Sequence, residues 1–204
     1  VGTDSTLGLT IGDAVRSARW LSDGGDTVTY RYTVQAGDLD GDGVQIHAIV
    51  PGSSTFRDAA GNDANLSLVG HLPATGAVRV DGIAPAILGT ISAPADRWYS
   101  VGDELLFEVA FNEDIVISGS ASTLELDVGG VNRKAVYHNL DGNTITYRYV
   151  VQSGDNDGNG INITGLALNG TFIRDQVGND ANLALDGHLP VLTGVLVDGG
   201  APSV

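Results

Sequence analysis

Residues Tyr30–Gly43 read YRYTVQAGDLDGDG, and Tyr147–Gly160 read YRYVVQSGDNDGNG. In both, an alternating run that points successive side chains to opposite faces gives way to Gly, Asp and Asn, the composition of a strand ending in a tight loop. The offset is 147 − 30 = 117 residues. The same offset relates RDAAGNDANLSLVGHLP from Arg57 to RDQVGNDANLALDGHLP from Arg174, Ser5 to Ser122, and Val80 to Val197. Insertions between these landmarks cancel, so two copies of one fold are expected. Because 204 residues are fewer than twice 117, the stretch from Ala86 to Ile117 has no counterpart ahead of Val1.

Period-two alternation continues in ELLFEVAF (Glu104–Phe111), TLELDV (Thr123–Val128) and TITYRYVV (Thr144–Val151), with Gly and Asp clusters between the runs. Short strands at this spacing predict an all-β chain of tandem immunoglobulin-like antiparallel β-sandwich domains, the first N-terminally truncated. The Gly and Pro of VDGIAPA (Val80–Ala86) favour a boundary there, giving an incomplete repeat over 1–83 and a complete one over 84–204; the rival cut, at Ser118–Ser122, would make the first 117 residues whole and truncate the second copy instead. Within the second repeat, strands are predicted near Ile87–Ile91, Glu104–Phe111, Thr123–Val128, Arg133–Tyr137, Thr144–Gln152, Ile161–Leu168 and Leu192–Val197. The missing front of the first repeat is expected to expose sheet edges and core surface, left disordered or filled by strands borrowed from a neighbouring molecule.

Composition narrows the function classes. Twenty-five acidic residues against 10 basic ones give a net charge of −15, which repels phosphate backbones and argues against nucleic-acid partners. With no cysteine, disulfides, thiolate metal sites and cysteine nucleophiles are excluded. No apolar run is long enough to span a bilayer as a helix, and VGTDSTLG at the start has no signal-peptide pattern, so no membrane insertion is expected and the chain reads as a fragment of something longer. G-x-S-x-G, H-E-x-x-H and P-loop motifs are absent, the prominent acids lie in repeated loops rather than a cleft, and no catalytic residue is assigned. The expectation is a non-enzyme.

The natural counter-partner of such a chain is a cation. GDLDGDG (Gly37–Gly43) and GDNDGNG (Gly154–Gly160) match the first half of a D-x-[DN]-x-[DN]-G calcium loop. Calcium takes several hard oxygens at about 2.3–2.6 Å, which makes Asp38, Asp40, Asp42, Asp155, Asp157 and Asn159 candidate ligands. Ile49 and Leu166 stand where an EF-hand has its bidentate Glu, so the loops are not EF-hands; the alternative is a polar turn without metal. A second acidic cluster, R-D-x-x-G-N-D-A-N at Arg57–Asn65 and Arg174–Asn182, offers Asp58, Asn62, Asp175 and Asn179, or else turns in which Asp and Asn bond their own backbone. Strand alternation predicts that the Glu113–Asp114 loop and the Asp175 loop share one end of the second repeat, facing Asp81, with the Asp38 loop contributing from the first. Calcium at that joint would stiffen the connection.

The sequence YxVQxGDxDxDG, then DxxGNxAxL, then VxVD closing each unit, resembles the tandem immunoglobulin-like extender repeats of very large, type I secreted bacterial adhesins, which often carry RTX repeats. The resemblance spans nearly the whole chain. It implies a passive, calcium-rigidified spacer at the extracellular cell surface, whose partners are neighbouring repeats and whose ligand-binding tip lies outside this segment. It also implies calcium positions at Asp38, Asp40, Asp42, Asp155, Asp157, Asp81 and Asp198. Asn159 departs from Asp42 of the other copy, and no G-G-x-G-x-D nonapeptide occurs. The competing functions are a carbohydrate- or protein-binding adhesin module, for which Trp98 and Tyr99 would form the exposed aromatic patch, and an accessory domain of a secreted hydrolase. His71 and His188, at matching GHLP positions, are expected to pack or turn rather than bind zinc, and Trp20 and Tyr137 to lie in the core.

Overall fold

The structure, a computed structural model, describes residues 3–200. It is all-β, with no helix among those residues, and its several antiparallel sheets are those of a β-sandwich architecture. The chain divides into two compact units, Val1–Ile83 and Ala84–Val204.

In the first unit, β1 (Thr6–Ile11), β2 (Ala14–Gly24), β3 (Thr27–Arg31) and β5 (Gln45–Val50) form one sheet in the order β3-β2-β1-β5. Two short strands, β4 (Leu39–Asp40) and β6 (Val80–Asp81), pair with each other. The second unit opens with β7 (Arg97–Ser100), β8 (Glu104–Ala110) and β9 (Val116–Ser118). The strands β10 (Thr123–Val128), β11 (Val131–Asp141), β12 (Thr144–Val150) and β14 (Asn162–Ala167) join β8 in a sheet ordered β14-β10-β11-β12-β8. The remaining strands, β13 (Asn156–Asp157), β15 (Phe172–Arg174) and β16 (Val195–Asp198), form β13-β16-β7 and the pair β15-β9.

The offset of 117 carries β1 onto β10 and β2 onto β11 without a change of bounds, since 6 + 117 = 123 and 14 + 117 = 131. Even the bulge recurs, between Trp20 and Ser22 in one unit and between Tyr137 and Asn139 in the other. Alternation explains the core. Leu105, Phe107 and Val109 of β8 turn inward with Leu124, Leu126, Ile145 and Tyr147, all fully buried, while Glu104, Leu106 and Glu108 face out. The opposite layer adds Tyr99, Val195 and Val197. Tyr137 is half-buried and packs against this core; Trp20 is half-buried as well, and its indole N–H is enclosed without an acceptor among the described residues.

Three details differ from the sequence expectation. The first regular strand of the second unit is β7, not Ile87–Ile91; that stretch carries an isolated bridge from Ile87 to Phe111, and a second, from Ser92 to Glu108, follows just past it. Gly89, at φ +66°, turns the backbone out of the extended region between them. Second, β16 runs parallel to β7, in register from Val195↔Arg97 to Asp198↔Ser100, so the sheets are not wholly antiparallel. Third, β9 and β15 form a small extra pair from Phe172↔Ser118 to Arg174↔Val116, too short for alternation to reveal.

The central position of Phe107 gives a direct check: Phe107→Ala is expected to destabilise the second unit by about 3–5 kcal/mol, read as an earlier urea transition with the slope unchanged.

Candidate functional site

Each D-x-D loop fastens a hairpin turn and the closing segment of its own unit. In the second unit Asp155, buried behind β12, accepts from Arg133 Nε at 2.8 Å through one carboxylate oxygen. Its other oxygen accepts from the Tyr149 hydroxyl and from the Gln152 backbone N–H, the latter at 2.8 Å. Asp157, also buried, accepts from the backbone N–H of Gly129 at 2.7 Å, Gly160 at 2.8 Å and Asn159 at 3.2 Å. Gly129 lies in the β10–β11 turn at φ +59°, and a Cβ there would meet the Asn156 carbonyl oxygen at 1.9 Å, so only glycine allows the loop this close. The backbone closes the arrangement: Gly154 N–H donates to the Gly199 carbonyl at 3.0 Å and Gly199 N–H to the Asp155 carbonyl at 2.6 Å.

The first unit repeats the pattern. Asp38 accepts from Arg16 Nε and Gln35 N–H, both at 2.8 Å, and from the Tyr32 hydroxyl. Asp40 accepts from Gly12 N–H at 2.8 Å, Gly43 N–H at 2.6 Å and Asp42 N–H at 3.2 Å. Gly82 N–H donates to the Asp38 carbonyl at 2.7 Å, and Gly37 N–H to the Gly82 carbonyl at 2.9 Å. Burial pushes the Asp38 carboxyl up, but the hydrogen bonds from Tyr32, Gln35 and Arg16 outweigh it and hold the group below the usual aspartate range. The N–H groups of Gly12 and Gly43 lower Asp40 likewise. Burial, then the bond to Asp155, pushes the Tyr149 hydroxyl well up.

The buried carboxylates of Asp38, Asp40, Asp155 and Asp157 are therefore each taken up by protein donors. Asp38, Asp40 and Asp42 do not gather one carboxylate oxygen each within 4.8 Å of one another among the described residues. Asp42 and Asn159 are exposed at the loop tips. The sequence reading missed Arg16, Arg133, Tyr32 and Tyr149. Their signal was present, since both pairs recur at the offset of 117, but alternation alone makes them ordinary strand residues.

The second cluster folds into Asx turns. Asp58 is exposed and accepts from Ala60 N–H at 2.9 Å, Asn62 N–H at 2.8 Å and Asn62 Nδ2 at 2.9 Å. Asp175 makes the same turn through Val177, Gly178 and Asn179 N–H and Asn179 Nδ2, at 2.6–2.9 Å. It differs in being buried, and in having a carboxylate oxygen of Glu113 within 4.8 Å of one of its own. Burial raises its carboxyl, but the bonds from Asn179, Gly178 and Val177 leave it below the usual range. The structure thus brings Glu113 to Asp175, as strand direction predicted, while Asp114, next to Glu113 in sequence, is exposed. Asp81 is half-buried and accepts from Ile83 N–H at 3.0 Å, and Asp198 is exposed and accepts from Gly200 N–H at 3.0 Å.

The aromatic pair divides: Trp98 is 55% exposed, while Tyr99 is 4% exposed and lies under the Arg97 guanidinium at 3.7 Å. His188 bonds the Gly89 carbonyl at 2.6 Å through Nδ1, a packing role, and His71 is exposed. Comparison with known proteins finds no matching family model, no matching curated protein and no matching solved structure.

Replacing Asp155 by Ala leaves a partly buried guanidinium and two donors without their acceptor, and is expected to cost the second unit on the order of 3 kcal/mol in chemical unfolding. The acid side has a defined sign. Because Asp38 and Asp40 titrate below the usual 3.8 when folded, their contribution is full above that value and is lost as pH falls through the lower folded value. The stability of the first unit should therefore be flat from neutral to about pH 5 and decline below it, as followed by circular dichroism.

Proposed function

We propose that the chain is a spacer from a bacterial cell-surface adhesin: non-catalytic, extracellular, immunoglobulin-like repeats in tandem that hold a binding tip away from the cell. The observation that carries this reading is the parallel pairing of β7 with β16. One strand lies near the entry of the second unit and the other near its exit. When tension draws the two ends of a unit apart, parallel terminal strands slide along each other, so their hydrogen bonds are loaded together rather than broken in turn. The Asp155 bonds to the Gly199 segment add to the hold on the exit. A repeat of 117 residues in which the closing VDG is clamped in each copy suits a structure that is lengthened by adding units.

Calcium enters this reading at Glu113 and Asp175, whose oxygens lie within 4.8 Å. Two close carboxylates favour a hard divalent cation, and extracellular modules bind calcium at about 10⁻⁴–10⁻³ M. A bound ion at tenfold to hundredfold excess would add about 1–3 kcal/mol to the folded state. The exposed Trp98 keeps a binding module as the second reading, which a glycan array would reveal.

The chain has no cysteine, so introduced thiols can define the points of force. Pulled through its ends, the second unit is expected to unfold at a higher force than when pulled through Val101→Cys and Gln152→Cys, where β8 and β12 unzip. An equal or lower force would overturn the spacer reading. Millimolar calcium should raise the end-to-end force more than magnesium does, and Glu113→Gln should remove that difference; no calcium effect in the parent chain would leave the acids as structural turns.

A further inference from the structure

Within the second unit β7 lies at one end of the sheet β13-β16-β7, and among the described residues no strand pairs with its outer side. Its surroundings invite one. Trp98 is 55% exposed and Val101, just past the strand, is 56% exposed, and a strand edge flanked by such side chains is a template for another strand. Trp98 and Ser100, two residues apart, turn their backbone groups to the same side of β7, and side chains of the same segment meet them there. The Trp98 carbonyl accepts from Arg97 Nη1 at 3.1 Å, and the Ser100 N–H donates to Asp103 Oδ2 at 2.9 Å. The two side chains hold each other, with Arg97 Nη1 3.4 Å from Asp103 Oδ2. Each is also held in place. The Arg97 guanidinium lies over the Tyr99 ring at 3.7 Å, and the Asp103 carbonyl accepts from the Val151 N–H at 2.9 Å. With side chains 53% and 37% exposed, an ion pair of this kind adds little to folding stability. Its distinguishing property is that it covers a donor and an acceptor on one strand edge.

We infer that the side chains of Arg97 and Asp103 guard the outer edge of β7 against pairing with β7 of a second copy of this chain. The occupant follows from the two groups that are covered. When two β7 strands meet antiparallel about a twofold axis at Tyr99, Trp98 of each stands opposite Ser100 of the other, and residues opposed in this way exchange their backbone hydrogen bonds. The covered donor, Ser100 N–H, and the covered acceptor, the Trp98 carbonyl, are then each other's partners across the two copies. Charge permits the same register, because it sets Arg97 opposite Val101 rather than opposite a second Arg97. The two Trp98 indoles become diagonal neighbours on one face, within reach of each other. While the guard is closed, a second strand must first displace the guanidinium and the carboxylate, so the sheet ends at β7. The inference concerns the second unit alone and does not depend on calcium or on the spacer reading.

The test compares the whole chain with its Arg97→Ala, Asp103→Ala double variant by sedimentation velocity over a concentration series, with hydrogen exchange read on the same samples. The double variant is expected to self-associate at least about tenfold more tightly than the parent chain, and its Trp98 and Ser100 amides to exchange at least about tenfold more slowly as the concentration rises. Arg97→Ala alone uncovers the carbonyl and leaves Asp103 on the Ser100 N–H, so it should give a smaller effect in the same direction. Adding Ser100→Pro to the double variant removes the N–H that the pairing needs and should return association to the parent level. The proposal is overturned if both unguarded variants associate no more than the parent, if Ser100→Pro leaves the added association in place, or if that association protects other strands and not β7.

Discussion

A buried carboxylate in each unit holds together parts that are distant in sequence. Asp155 joins Arg133 on β11, Tyr149 on β12 and the start of its own loop, while its backbone grips Gly199 at the end of β16. Asp157, two residues on, reaches the turn between β10 and β11. Removing a carboxylate from water is costly unless each oxygen is satisfied, and charge-assisted bonds from a guanidinium, a phenol and backbone N–H groups meet that requirement here. The loop has little freedom left once these bonds form. It therefore sets where the closing strand leaves the sheet, and through the pairing of β16 with β7 it bears on the entry of the second unit as well.

The two units share one strand pattern at the offset of 117 residues. Both have the same hairpin, the same bulge and the same aspartate loop. In the second unit β8 lies along β12, where Ile145 and Tyr147 are sealed from water; among the described residues no strand lies along β3, where Val28 and Tyr30 are half-buried. The hydrophobic core of a sandwich is a property of two layers and of closed edges rather than of any one strand's composition. Alternation sets which side chains of a strand face inward, and the neighbouring strand sets how far they are sealed.

Acidic loops invite a metal reading because their charge is conspicuous in a sequence, whereas their neutralising donors are not. Backbone N–H groups carry no letter, and Arg16 lies 22 residues from Asp38. In both D-x-D loops those hidden donors take up the charge. Glu113 and Asp175 form a different case, since their approach joins two loops of the second unit at one end and sets two carboxylates within 4.8 Å. It is at this pair that the proposed calcium would sit.

The repeat of 117 residues, the all-β character and the strands with strong alternation follow from sequence alone, because side-chain period and turn chemistry are local properties. The approach of Glu113 to Asp175 was also legible, since strand direction decides which loops share an end. The parallel union of β7 and β16, the break at Gly89 and the commitment of Asp38, Asp40, Asp155 and Asp157 to protein donors were decided by tertiary structure. Each depends on atoms brought together from far apart in the chain, and a carboxylate's role is set by whichever donors the fold delivers to it.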